Sequence, residues 1–144
     1  ACKVLPEDLP AKLFKFAFVR NPWDRLVSEY SFVCDREIHP RHKEVKALPD
    51  FHAYLVYERY RARGRSQADM LKDRDGKLGM DFVGRFENLR DDFSEICSRI
   101  GVDSELPHLN KTKHRDFRDY YDDRNKDYVA KHWGEEIKLF GYEF

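Results

Sequence analysis

The sequence is short of cysteine, of excess charge of either sign and of long hydrophobic runs, and each shortage removes a class of function. Its three cysteines, Cys2, Cys34 and Cys97, are odd in number and form no C-x-x-C pair. A disulfide framework or a zinc ribbon is therefore not the organising principle, and buried thiols in a reducing compartment are the plain reading. Lys plus Arg and Asp plus Glu number 27 each. A duplex nucleic-acid binder carries a net basic field, so no nucleic-acid partner is expected, and any anion site must be a local concentration of cations. No apolar run approaches the roughly 20 residues of a membrane span, and neither a membrane segment nor a signal peptide is read in this chain. The six histidines offer no metal-ligand pattern. His39 and His42 are interrupted by Pro40, His52 stands alone, and His108, His114 and His132 lack ligand spacing with cysteines or carboxylates. No metal is expected. There is no internal repeat and no low-complexity tract.

What is present is enough apolar material for a core: 41% of 144 residues are hydrophobic and 15% aromatic. The length suits one domain spanning 1–144, or a large part of one. Residues 13–19 end in the apolar run Phe16-Ala17-Phe18-Val19, as a central parallel strand would. Asn21 is placed to cap a following helix over 22–34, with Pro22 at its first position, Asp24 in its first turn and Leu26, Val27, Tyr30 and Val33 as its apolar side. Residues 35–50 read as a surface loop, and 49–61 as a second helix with Phe51, Tyr54 and Leu55 inward. Residues 68–71 and 79–86 read as short strands around the turn Asp73-Arg74-Asp75-Gly76. A third helix over 87–100 carries Leu89, Phe93, Ile96 and Ile100 at helical spacing and stops at Gly101. After a polar loop over 102–116, the tail from Asp122 is helical in two pieces. Tyr128, Val129 and Trp133 mark one face, and Ile137, Leu139 and Phe140 the other.

The chemistry concentrates where the first strand becomes a helix. In open parallel sheets, ligands bind beyond the carboxyl ends of strands. A helix amino terminus adds unpaired N–H groups and the positive end of the dipole. Arg20 stands at this junction, and a guanidinium can hold a phosphate in a fork. Ser28 follows Asn21 by seven residues, about two helical turns, and shares its face. From the residues alone two readings stay open: an anion site, or an Arg20 that merely pairs with a carboxylate. Trp23 reads as a core residue, with stacking on a base as the alternative.

The run Arg20-Asn21-Pro22-x-x-Arg25-x-x-Ser28 resembles the 3′-phosphate-binding motif of the Golgi-type carbohydrate sulfotransferases and their bacterial relatives. Two further segments agree in order and spacing: Asp81-Phe82-Val83-Gly84-Arg85-Phe86-Glu87-Asn88-Leu89 and Leu106-Pro107-His108-Leu109-Asn110-Lys111-Thr112-Lys113. The resemblance covers about residues 14–144. It implies an α/β fold, a mostly parallel sheet flanked by helices in the P-loop nucleotide-kinase-like architecture of sulfotransferases. Strand 13–19 would be central, with helix 22–34 packed behind it. It implies transfer of a sulfuryl group from 3′-phosphoadenosine 5′-phosphosulfate to a hydroxyl of a carbohydrate or small-molecule acceptor, without a metal. It assigns Arg20 and Ser28 to the donor's 3′-phosphate, and Lys111 and Thr112 to a loop that offers basic and hydroxyl groups to the nucleotide's phosphates. Arg25 matches a recurrent position whose role stays open beside a salt bridge to Asp24 or Glu29. Arg85 and Glu87 read as a structural ion pair, with Arg85 facing donor or acceptor as the alternative.

In that family a loop after the first strand holds the phosphosulfate, and the catalytic base also precedes the 3′-phosphate motif. Nineteen residues precede Arg20 here, without a Gly-rich or Lys-Thr/Ser loop, and the chain opens on Ala1 rather than Met. The catalytic residues are therefore expected upstream of Ala1, and a partner chain or swapped segment is expected to complete the sheet. The rival reading is a non-catalytic nucleotide-binding remnant that keeps the 3′-phosphate half-site. A kinase-like phosphotransferase would need Mg²⁺ and a Walker-type loop, which the sequence does not suggest. A bacterial cytoplasmic setting fits the free cysteines, and a Golgi lumen is the eukaryotic alternative.

Overall fold

The computed structural model describes residues 13–61, 66–106 and 115–144. In chain order its regular elements are β1 (Phe16–Val19), α1 (Pro22–Asp35), α2 (His42–Lys46), α3 (Phe51–Arg61), α4 (Gln67–Leu71), β2 (Phe82–Arg85), α5 (Leu89–Ile100), α6 (Asp123–His132) and α7 (Gly134–Phe140), with 3₁₀ turns at Phe86–Asn88 and Phe117–Tyr120. The fold is mixed α/β with a parallel sheet, as expected. The described residues divide into two compact units, one from 13–19 and 71–106, the other from 20–61, 66–70 and 115–144.

In the first unit β1 and β2 pair in parallel, Phe16 opposite Phe82 through Val19 opposite Arg85. The sheet has two strands among the described residues, so β1 has one neighbour there rather than the two of a central strand. The backbone of Lys15 extends the pairing through Asp81, donating its N–H to Oδ2 (2.7 Å) and accepting from the Asp81 N–H (2.8 Å). Helix α5 packs against β2 and buries Ile96 and Cys97, whereas Leu89 and Phe93 are half-buried and Ile100 is exposed. Gly101 ends α5 with a left-handed φ of 70°, the expected stop. Gly84 is glycine for a packing reason: a Cβ there would lie 2.6 Å from Cε1 of Phe18 and 3.1 Å from Cβ of Asp92.

The expected hairpin around residues 73–76 is only partly formed. The turn exists, with the Asp73 N–H on the Lys77 carbonyl (2.7 Å) and Gly76 at φ 77°, but it closes a single bridge between Lys72 and Leu78. Residues 67–71 are helical instead of extended. Ser66 and Asp69 explain this: Asp69 Oδ2 accepts from the Ser66 N–H (2.9 Å), and Ser66 Oγ accepts from the Asp69 N–H (3.1 Å). This reciprocal cap opens a helix of good helix formers, and local capping overrides the short apolar run.

The second unit is helical. Its core holds Leu26, Val27 and Val33 of α1, Tyr54 and Leu55 of α3, Val129 of α6 and the two indoles Trp23 and Trp133. Asp50 caps α3 by accepting from the Ala53 N–H (2.8 Å), so that helix begins at Phe51 rather than Pro49. The surface loop expected over 35–50 contains α2, which buries Val45. The tail forms two helices, as expected. However, Leu139 is 48% exposed, and the inward position of α7 beside Phe140 is Glu136, at 0%. Glu136 and Phe140 are one turn apart, so they share the buried stripe that Leu139 misses.

Candidate functional site

Val19 ends β1 and Pro22 opens α1, so Arg20 and Asn21 form the whole connection. The sequence dictates the sharp start of the helix. Pro22 supplies a preset φ and lacks the N–H that would go unpaired there. Asn21 Oδ1 accepts from the Trp23 N–H (3.0 Å), and the Asn21 carbonyl accepts the first helical bond from Arg25 (2.8 Å). The amide's other end donates from Nδ2 to the Glu143 carbonyl (2.8 Å), tying the helix start to the end of the chain. An aspartate, serine or threonine would make the cap, but only an amide offers a carbonyl acceptor and an N–H donor together.

Arg20 is fixed at both its backbone and its side chain. Its N–H donates to Gln67 Oε1 (2.9 Å), and its carbonyl accepts from Gln67 Nε2 (2.8 Å), so one side-chain amide satisfies both backbone groups. Gln67 is itself anchored by Glu136, whose Oε2 accepts the Gln67 N–H. Glu136 Oε1 faces Arg25 Nη2 at 3.4 Å. Sequence reasoning missed Gln67 and Glu136. The one usable signal was a glutamate at a helix position that otherwise reads as core.

The Arg20 side chain is 19% exposed, and its Nε donates to Asp24 Oδ2 at 2.7 Å. The guanidinium thus lies over the first turn of α1. Asp24 and Ser28 are one turn apart on the same helix, so Arg20, Asp24 and Ser28 mark one stripe. Ser28 is half-buried. The carboxylate pairing expected as the plain reading of Arg20 is therefore present. It engages Nε, and a guanidinium carries five N–H donors, so the pairing does not decide against an anion at the same side chain. Arg25 is held by Glu136 rather than by Asp24 or Glu29, which corrects the expected partner, and its Nε is buried without a hydrogen-bond partner among the described residues. Glu29 is drawn elsewhere: Arg41 Nη2 lies 2.6 Å from its Oε1.

A family model described as "Sulfotransferase family" matches residues 3–143. The chain belongs to the Sulfotransferase family. It is similar over 93 residues, at 30% identity, to an uncharacterized protein of Archaeoglobus fulgidus, the match covering 63% of this chain and 70% of the relative. No solved structure matches it.

Within this chain, Arg20 and Ser28 belong to one unit, Arg20 just before α1 and Ser28 two turns into it. Lys111 and Thr112 lie outside the described residues. Trp23 is a core residue: it is buried, meets Phe144 edge to face at 5.6 Å and donates from Nε1 to the Lys126 carbonyl (3.3 Å). Arg85 is exposed, and its backbone N–H is held by Asp92 Oδ2. Three histidines are hydrogen-bonded: His39 Nδ1 with the Arg41 N–H, His42 Nδ1 with the Val33 carbonyl and His52 Nδ1 with Asn125 Oδ1. Among the described residues no group of three His, Cys, Asp or Glu side chains is arranged to hold a metal. No helix among them is long and apolar enough to cross a membrane.

Proposed function

We propose that the chain binds the 3′-phosphate of 3′-phosphoadenosine 5′-phosphosulfate at Arg20 and Ser28, as part of a sulfotransferase acting on a hydroxyl of a carbohydrate or related acceptor. The observation that supports this most is the posture of Arg20. Its backbone is clamped by Gln67, and its side chain is laid by Asp24 along the stripe that carries Ser28, at a capped helix start. The residues fit a phosphate. The guanidinium supplies forked donors, the first turn of α1 supplies the positive end of the helix dipole, and the Ser28 hydroxyl supplies a donor further along the same face.

In this reading the site positions the donor. Holding the nucleotide by its 3′-phosphate fixes where the sulfuryl group lies relative to the acceptor oxygen, and such fixing of reactants is a large part of catalysis for a group transfer. Lys111 and Thr112 join the proposal on the strength of the sequence alone, as further donors to the phosphates.

The test is ligand-induced stabilisation of the whole protein. A ligand that binds only the folded state raises its melting temperature. Adenosine 3′,5′-diphosphate should raise Tm more than adenosine 5′-monophosphate at equal concentration, and Ser28→Ala should shrink the gap. Equal shifts for the two nucleotides would rule the proposal out.

A further inference from the structure

A hollow lies in the helical unit, away from the residues assigned above. Arg59, Tyr60, Tyr128 and His132 line a cavity of about 280 Å³. That is near the lower end of ligand clefts, which begin at roughly 300 Å³. Among the described residues the lining comes from two helices, the last turn of α3 and the second half of α6. Its chemistry is one-sided. The Tyr128 and His132 rings are 4.3 Å apart and tilted, and His52 meets Tyr128 at 5.2 Å. Tyr60, by contrast, is 79% exposed. An aromatic ring left in water at the mouth of a hollow is surface that folding has not used.

Arg59 supplies the polar element. Its Nε is buried and has no hydrogen-bond partner among the described residues. Arg41 and Arg61 differ sharply from it, since both are engaged by Glu58. The Arg59 guanidinium has no carboxylate partner among the described residues, and an oxyanion in the hollow would supply one. The surroundings are cationic as well. Burial, and then the positive charges of Arg59 and Lys131, hold the His132 imidazole below its ordinary range.

We propose that this hollow binds a small aromatic anion, its ring against Tyr60 and Tyr128 and its carboxylate or similar oxyanion on Arg59. The two parts of the ligand answer the two parts of the lining. An uncharged ring leaves Arg59 unsatisfied, and a bare anion leaves the tyrosine faces wet.

The proposal is tested with three probes on the full chain: benzoate, which has ring and charge, benzyl alcohol, which has the ring only, and acetate, which has the charge only. Binding is followed by NMR titration of the aromatic side-chain resonances. Benzoate should perturb Tyr60, Tyr128 and His132 and bind roughly ten- to a hundredfold more tightly than either control, the size of one charge-assisted hydrogen bond. Arg59→Gln should bring benzoate down to the level of benzyl alcohol. Tyr60→Ala, at an exposed position that folding does not need, should weaken benzoate by roughly threefold to tenfold. If benzoate leaves these resonances unmoved, or binds Tyr60→Ala as well as the parent, the assignment is wrong. The Tyr60→Ala comparison decides the matter by itself, even if Arg59→Gln does not fold.

Discussion

Gln67 satisfies both backbone groups of Arg20, accepting its N–H at 2.9 Å and donating to its carbonyl at 2.8 Å. A side-chain amide therefore takes the place of a neighbouring strand at the point where the chain leaves β1. The arrangement holds only while Gln67 is itself fixed, and Glu136 does that from α7. The position of the candidate phosphate-binding arginine thus depends on a glutamate more than a hundred residues away in the chain.

This dependence sets an order among three substitutions. Gln67→Ala removes the side-chain amide from two part-buried backbone groups of Arg20, at about 1–3 kcal/mol for each. Glu136→Ala strips the partner from Arg25 and the acceptor from Gln67, and breaking a buried pair costs about 3–5 kcal/mol. Glu136→Gln keeps the shape and one of the two acceptor oxygens and should lose less than Glu136→Ala. Urea unfolding of the three variants measures the order. Glu136→Ala proving as mild as Glu136→Gln would mean that the carboxylate is not the anchor.

Asn21 makes a similar prediction. Asn21→Asp keeps the cap on Trp23 but replaces the N–H that meets the Glu143 carbonyl with a second oxygen. It should destabilise the protein by about 0.5–1.5 kcal/mol, the net worth of one hydrogen bond, although aspartate is as good an N-cap as asparagine. Unfolding midpoints for Asn21→Asp and Asn21→Ser, compared with the parent, give the measurement.

Acid stability should report on Glu58. Burial pushes its carboxyl up, but the hydrogen bonds and charges of Arg61 and Arg41 outweigh burial and hold it below its ordinary value of 4.5. A carboxyl with a depressed folded-state pKa contributes stability above its unfolded value, and that contribution is lost as the pH falls through the folded value. The parent should therefore lose stability below about pH 4.5, over a window in which Glu58→Gln loses less. Denaturation midpoints measured from pH 7 to pH 3 decide it; parallel curves for the two proteins would remove Glu58 from the explanation.

Much of this is legible in the sequence, because the signals are local. Asn21-Pro22 announces a helix start whatever surrounds it, and Gly101 and Gly141 end their helices with positive φ. The parallel alignment of β1 with β2 is implied only by the resemblance, since pairing between residues 66 apart leaves no periodic mark. The segment 68–71 reads as extended because Ala68, Met70 and Leu71 look apolar, while the Ser66–Asp69 cap that decides its conformation takes up only two residues. Gln67 leaves no mark as a site residue, and Glu136 leaves only that of a carboxylate one turn from Phe140. A buried polar side chain is recognised by what it touches, and their partners are distant in the sequence. Arg20 is legible as an anion candidate, but its pairing with Asp24 rather than with another carboxylate emerges only in the structure.

The central claim concerns Arg20, and calorimetry tests it most directly. Adenosine 3′,5′-diphosphate should bind the protein more tightly than adenosine 5′-monophosphate, and Arg20→Ala should erase most of that difference, roughly 1.5–3 kcal/mol for a charge-assisted contact. If the parent binds both nucleotides equally, or Arg20→Ala keeps the full preference for the 3′-phosphate, then Arg20 does not hold that phosphate and the site lies elsewhere.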